Sequence, residues 1–161
     1  MDKFMKQTLS IMMVWMLLNL SYGAQPGVIF FQPSEEGILK KLHENHYPLT
    51  LKAPPSYIYY FVAQPPKHSG MIKTYEFLTL WAKKRFQTCL KNTLPYATLS
   101  FITQKGLHVN ALVIVANPSY TQQNLNYQIT LMSKKPLDTG KMHHVVLIFN
   151  DILWDPSQDL S

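Results

Sequence analysis

Cysteine and long hydrophobic runs are what this sequence most conspicuously lacks. Its single cysteine, Cys89, can form no internal disulfide, so the thiol is either buried and inert or reactive and used. The one extended apolar stretch, from Leu9 to Leu20, contains Ser10 and Asn19 and is short against the roughly 20 residues that cross a bilayer. Internal repeats and low-complexity tracts are also lacking. These absences argue against a disulfide-rich scaffold, a membrane-spanning protein and a repeat protein.

Acidic residues are the scarcer charge, with 9 Asp and Glu against 15 Lys and Arg, for a formal net charge of +6. The basic residues are scattered, with small clusters such as "KKR" at 83–85 and "KK" at 134–135. Such a balance suits adhesion to anionic surfaces, but we favour the interpretation of an ordinary solvated exterior. We therefore predict no nucleic-acid partner.

The first residues have the features of a cleavable secretory signal. Lys3 and Lys6 precede the apolar stretch, and small residues follow it up to Gly23. We predict a signal peptide over 1–23 and a single domain over 24–161, exported to a periplasm or secreted, with no stable membrane insertion after cleavage. An exported chain passes through an oxidising compartment, which makes the lone thiol notable.

Two segments have helical signatures. Ser34 followed by "EEGILKKLHEN" predicts a capped amphipathic helix, with acidic residues near its start and histidines near its end. A longer helix is predicted from about Met71 to Leu90, where apolar residues recur at steps of three and four: Met71, Tyr75, Leu78, Ala82, Phe86 and Cys89.

Several other segments predict strands. The run "PPSYIYYFVAQPP" is bracketed by paired prolines, and "GLHVNALVIVANPS" and "NLNYQITLMS" are rich in β-branched or alternating apolar residues. "YATLSFITQKG" suits either a strand or a short helix. The order predicts an α+β fold in which N-terminal helices pack on an antiparallel β-sheet, whose last three strands form a meander.

His43 and His46 are spaced i, i+3 on the first predicted helix and could together contact a metal. No carboxylate or cysteine partner is legible elsewhere, so we interpret them as exposed histidines and predict neither a metal nor a cofactor.

The segment "GKMHHVVLIFNDILWDPSQ" combines histidines and acids around an apolar run. If Asn150-Asp151 forms a two-residue turn, His144 and Asp155 become diagonal neighbours on one face, roughly 7–8 Å apart at the backbone. His143 would then point to the other face. An imidazole oriented by a carboxylate is what a general base beside a nucleophilic thiol requires.

Cys89, a spacer ending in Gly106, the strand "LHVNALVIV" and then "HHVVLIFNDILWDPS" together resemble the transglutaminase-like branch of the papain-like cysteine protease superfamily. The resemblance covers residues 89–157. It implies a papain-like core with Cys89 as nucleophile, His144 as base and Asp155 as the orienting acid, and it requires a helix break just before Cys89.

Two functions follow as hypotheses. The first is an exported thiol-dependent acyl-transfer enzyme acting on a peptide, protein or amide substrate through Cys89, His144 and Asp155. The second is a non-catalytic exported binding domain on the same scaffold, which holds a protein or surface glycan with Tyr57, Tyr59 and Tyr60 while Cys89 is buried.

Overall fold

The computed structural model describes residues 27–62, 67–82, 87–88, 94–121 and 123–154. The predicted signal peptide, Cys89 and Asp155 lie outside these residues. The elements in chain order are β1 (Gly27–Leu39), β2 (His46–Lys52), β3 (Tyr57–Val62), β4 (His68–Lys73), α1 (Thr74–Ala82), β5 (Gln87–Thr88), β6 (Tyr96–Thr103), β7 (His108–Thr121), β8 (Asn124–Leu131) and β9 (Gly140–Leu153).

The predicted α+β fold with N-terminal helices is wrong, because the described residues form an antiparallel sheet with one short helix. The segment expected as the first helix belongs to β1. Ser34 and Gly37 are buried while Glu35 and Glu36 between them are exposed, and this three-residue step imitates helical spacing. The Ser34 hydroxyl, expected to cap a helix, instead donates to the Glu36 carbonyl oxygen at 2.8 Å.

The predicted second helix is confirmed only for Thr74–Ala82. Met71 belongs to β4, and Gln87–Thr88 pairs as a short strand with β9. Within the described ranges, no helix has the length and apolarity needed to cross a membrane.

The predicted strands are confirmed as β3, β7 and β8, and the ambiguous segment is strand β6. The predicted meander is wrong, because β9 pairs with β6 and β1 and not with β8. All the pairings are antiparallel.

Pairing between β1 and β9 closes the sheet on itself through β1, β2, β8, β7, β6 and β9. β9 accompanies β1 along its whole length. On its other side β1 pairs first with β3, over Val28–Phe31, and then with β2, over Glu36–Leu39. The hairpin of β3 and β4 therefore branches from the closed sheet at β1.

Aromatic side chains fill the closed sheet and join it to α1. The ring of Phe77 on α1 lies 5.2 Å from Phe30 of β1 and 5.6 Å from Phe149 of β9, centroid to centroid. Trp81, one turn later, lies 6.1 Å from Tyr127 of β8. The helix thus buries Phe77 in the core, which contributes roughly 1.5–3 kcal/mol, and packs the partly buried Trp81 against it.

A buried polar pair spans this core. The Tyr127 hydroxyl donates to Gln32 Oε1 at 2.5 Å, and both side chains are buried. Burial raises the pKa of Tyr127 well above its usual value, because the core disfavours a phenolate. Gln32 Nε2 has no hydrogen-bond partner among the described residues.

Candidate functional site

The geometry that was expected to join His144 to Asp155 does not form. Asn150 and Asp151 continue β9, which extends without a turn to Leu153 and pairs there with Gly27 of β1. Nine residues of extended strand place His144 and Leu153 roughly 30 Å apart at the backbone. The prediction that a hairpin turn brings Asp155 to His144 is therefore wrong, while the Cys89, His144 and Asp155 triad itself stays a prediction, since Cys89 and Asp155 lie outside the described residues.

His144 lies in a β-bulge. Between the pairs Ser100–Val146 and Ile102–His143, β9 has one residue more than β6, and His144 takes a positive φ of 48°. The bulge shifts the alternation, so that Met142 and Val145 are both buried, three residues apart. As a result of this shift, the side chains of His143 and His144 are both exposed. The prediction that they point to opposite faces is therefore wrong.

The carboxylate that lies beside His144 is Glu35, which the sequence had placed in a helix. Glu35 Oε2 is 3.4 Å from His144 Nδ1, and both side chains are highly exposed. Solvent screens such a pair, so it contributes little to stability and fixes the ring weakly. Glu35 is thus not a buried carboxylate of the kind that orients a catalytic base.

A second histidine contact lies two strands away. Ser100 Oγ of β6 is 2.9 Å from His108 Nε2 of β7, and both residues are on the outer surface. His108 also shares its outward row with His143, because each of them pairs with Ile102. Among the described residues, no three His, Cys, Asp or Glu side chains converge closely enough to hold a metal ion.

His43 lies between β1 and β2 and His46 is the first residue of β2, so neither is on a helix. Their backbones form an isolated bridge and their ring centroids are 4.6 Å apart, edge to face. His46 Nδ1 contacts Thr130 Oγ1 at 3.0 Å. The two histidines are exposed, as the sequence indicated.

β3 carries large apolar side chains on both of its faces. Ile58, Tyr60 and Val62 are buried in the core, and Tyr57, Tyr59 and Phe61 point outward. The expectation that Tyr60 serves as a contact residue is wrong, because the strand alternates and Tyr60 is only 8% exposed.

Two further exposed residues extend this outward group. Tyr59 pairs with Met71 of β4 on one side and with Phe31 of β1 on the other. We call Phe31, Tyr57, Tyr59, Phe61 and Met71 the aromatic face; their exposed fractions lie between 37% and 56%.

Sequence reasoning missed Phe31 and Met71. The apolar run "VIFF" at 28–31 is typical of a strand, but the only element predicted in this region was the helix beginning at Ser34. Met71 was assigned to a helical stripe. The segment of β3 was predicted as a strand, and the alternation of any strand places Tyr57, Tyr59 and Phe61 on one face.

Comparison of the chain with protein-family models, with curated proteins and with solved structures gives no significant match.

Proposed function

We propose that this protein is a binding domain that docks a partner protein on the aromatic face. The observation that supports this is the register of large apolar side chains on three neighbouring strands, all of them exposed outside the core. Contiguous exposed apolar patches on soluble proteins commonly mark interaction sites. Thiol-dependent acyl transfer by Cys89, His144 and Asp155 stays a second, untested hypothesis.

The extent of the surface favours a protein over a small molecule. The outward row that contains Tyr59 passes across six strands and carries no charged side chain: Met71, Tyr59, Phe31, Ile148, Thr98 and Leu112. Five inter-strand spacings correspond to roughly 24 Å along the curved sheet. Tyr, Phe and Met are also the residue types that protein interfaces favour, because they supply large contact areas.

Charged residues beside the aromatic face indicate which charge the partner carries. Exposed Lys67 and Lys73 stand just before and at the end of β4. Lys73 Nζ is 3.8 Å from Glu76 Oε1, but this pair is exposed and contributes little. We therefore infer that the partner presents an apolar contact region bordered by acidic side chains.

The test is selection from a displayed library of random peptides against the whole protein. Enriched peptides should combine aromatic or aliphatic residues with Asp or Glu, and Tyr59→Ser should weaken their binding about tenfold, equivalent to about 1.4 kcal/mol. Tyr75→Ser is the matched control, because Tyr75 is an exposed tyrosine outside the aromatic face. Peptides that bind Tyr59→Ser as well as wild type, or a selection without enrichment, would contradict the proposal.

A further inference from the structure

A groove lies between the first turns of α1 and the far end of β7. Its volume is about 640 Å³, which is within the range of small-molecule sites. Tyr75 and Leu78 of α1 form one wall and Tyr120 of β7 forms the other. Among the described lining residues of the groove, none belongs to the aromatic face, but Lys73, which pairs with Tyr57 of that face, borders both surfaces.

The strand register shows that Tyr120 lies at an uncovered part of the core side of the sheet. Tyr120 pairs with Leu125, which is fully buried, and paired residues share a face of the sheet. The Tyr120 ring therefore leaves β7 on the core side, yet 52% of the side chain is exposed. An inward aromatic side chain this exposed marks a part of the core side that α1 does not cover.

The wall contributed by α1 is exposed as well. Tyr75 is 72% exposed although it lies in the first turn of a helix whose Phe77 is buried. The two tyrosine rings thus border the groove without packing into the core, and Leu78 beside them is only partly buried against it. Folding alone gives no reason to keep these apolar surfaces in water.

Two threonine hydroxyls of the groove already donate hydrogen bonds within the protein. Thr74 Oγ1 donates to the Pro55 carbonyl oxygen at 2.7 Å, and Thr79 Oγ1 donates to the Tyr75 carbonyl oxygen at 2.9 Å. These two hydroxyl hydrogens are used within the protein. Lys73 carries the one charge among the described lining residues, and it is positive.

We propose that the groove binds a small amphipathic carboxylate, with its apolar body between Tyr75 and Tyr120 and its carboxylate at Lys73 Nζ. The apolar walls suit the body, and an ammonium group suits an anion with unused acceptor oxygens. Glu76 competes weakly for Lys73 across 3.8 Å of exposed surface, and a bound carboxylate replaces that contact.

Calorimetric titration of the whole protein with decanoate, below the concentration at which it forms micelles, tests the proposal. We expect saturable binding with one site, which 1-decanol reproduces at least about tenfold more weakly because it lacks the charge. Lys73→Gln should weaken decanoate binding about tenfold, and Tyr120→Ser by a similar factor. Glu76→Gln should tighten it two- to threefold, by roughly the interaction of an exposed ion pair.

Matched variants separate this site from nonspecific uptake. Lys67→Gln removes an exposed lysine just before β4 that does not line the groove, and Tyr59→Ser changes only the aromatic face. Both should bind decanoate as wild type does. Equal binding of decanoate and 1-decanol, unchanged binding by Lys73→Gln and Tyr120→Ser, or absence of saturable binding would each overturn the proposal.

Discussion

The two faces of β3 carry the same kinds of side chain and have opposite consequences. Ile58, Tyr60 and Val62 contribute to the core, whereas Tyr57, Tyr59 and Phe61 stay in contact with water. Burial explains the inner set, because apolar surface removed from water stabilises the fold by about 25 cal/mol per Å². The outer set gains little from folding, and this is why it indicates a contact surface.

The difference between Tyr59 and Tyr60 should be the largest in the free energy of unfolding. Tyr60 lies 5.1 Å from Trp154 and 6.2 Å from Phe30, ring centroid to centroid. Tyr60→Ala leaves a cavity among these rings and should lower the free energy of unfolding by about 3 kcal/mol. Tyr59→Ala, its neighbour on the outer face, should lower it by less than about 1 kcal/mol. Urea unfolding followed by tryptophan fluorescence measures both.

Similar losses for the two variants would contradict the comparison. They would mean that Tyr59 is held in a packed environment, and the aromatic face would then have a structural explanation.

A second comparison of a buried with an exposed tyrosine uses Tyr127 and Tyr59. Tyr127→Phe leaves Gln32 without its buried partner and should cost about 1–2 kcal/mol, whereas Tyr59→Phe on the outer face should cost less than about 0.5 kcal/mol. Denaturant unfolding at neutral pH compares the two variants.

The decrease in the free energy of unfolding at alkaline pH should also depend on Tyr127. Burial holds the pKa of Tyr127 above the value of about 10 that it has in the unfolded chain. Between these two pKa values the unfolded state has released a proton that the folded state retains, so stability is full below pH 10 and falls as the pH rises. Tyr127 should lower the free energy of unfolding by up to about 1.4 kcal/mol for each pH unit in this range. Tyr127→Phe should remove this contribution; an unchanged slope would contradict it.

How much of this fold was predictable depends on whether alternation is uninterrupted. The paired prolines at 54–55 and 65–66 bracket β3, and the alternation of β8 is regular, so both strands were predicted. β1 and β9 break their alternation at Glu35-Glu36 and at the bulge of His144. The first break imitates a helix, which is why the N-terminal fold was predicted wrongly.

Helix α1 and the pairing of β1 with β9 show a second limit of prediction from the sequence. α1 was predicted, but from a stripe containing Tyr75 and Leu78, whereas the side that enters the core is Phe77 and Leu80. Which side is buried depends on what the helix packs against. Pairing of β1 with β9 joins residues more than a hundred positions apart, and no local pattern specifies such a contact.

The smallest expected effect concerns the histidines of the outer surface and the thiol. If Cys89 reacts through a triad, His144→Ala should slow its alkylation by iodoacetamide at mildly acidic pH more than about tenfold, because the imidazolium favours the thiolate. We expect less than a twofold change, since His144 is exposed, lies beside Glu35 and belongs to a strand that continues without turning back. His143→Ala, at the same bulge, is the matched control. A slow rate in His144→Ala alone would return the thiol-enzyme hypothesis to first place, and the outer surface would then carry chemistry as well as contacts.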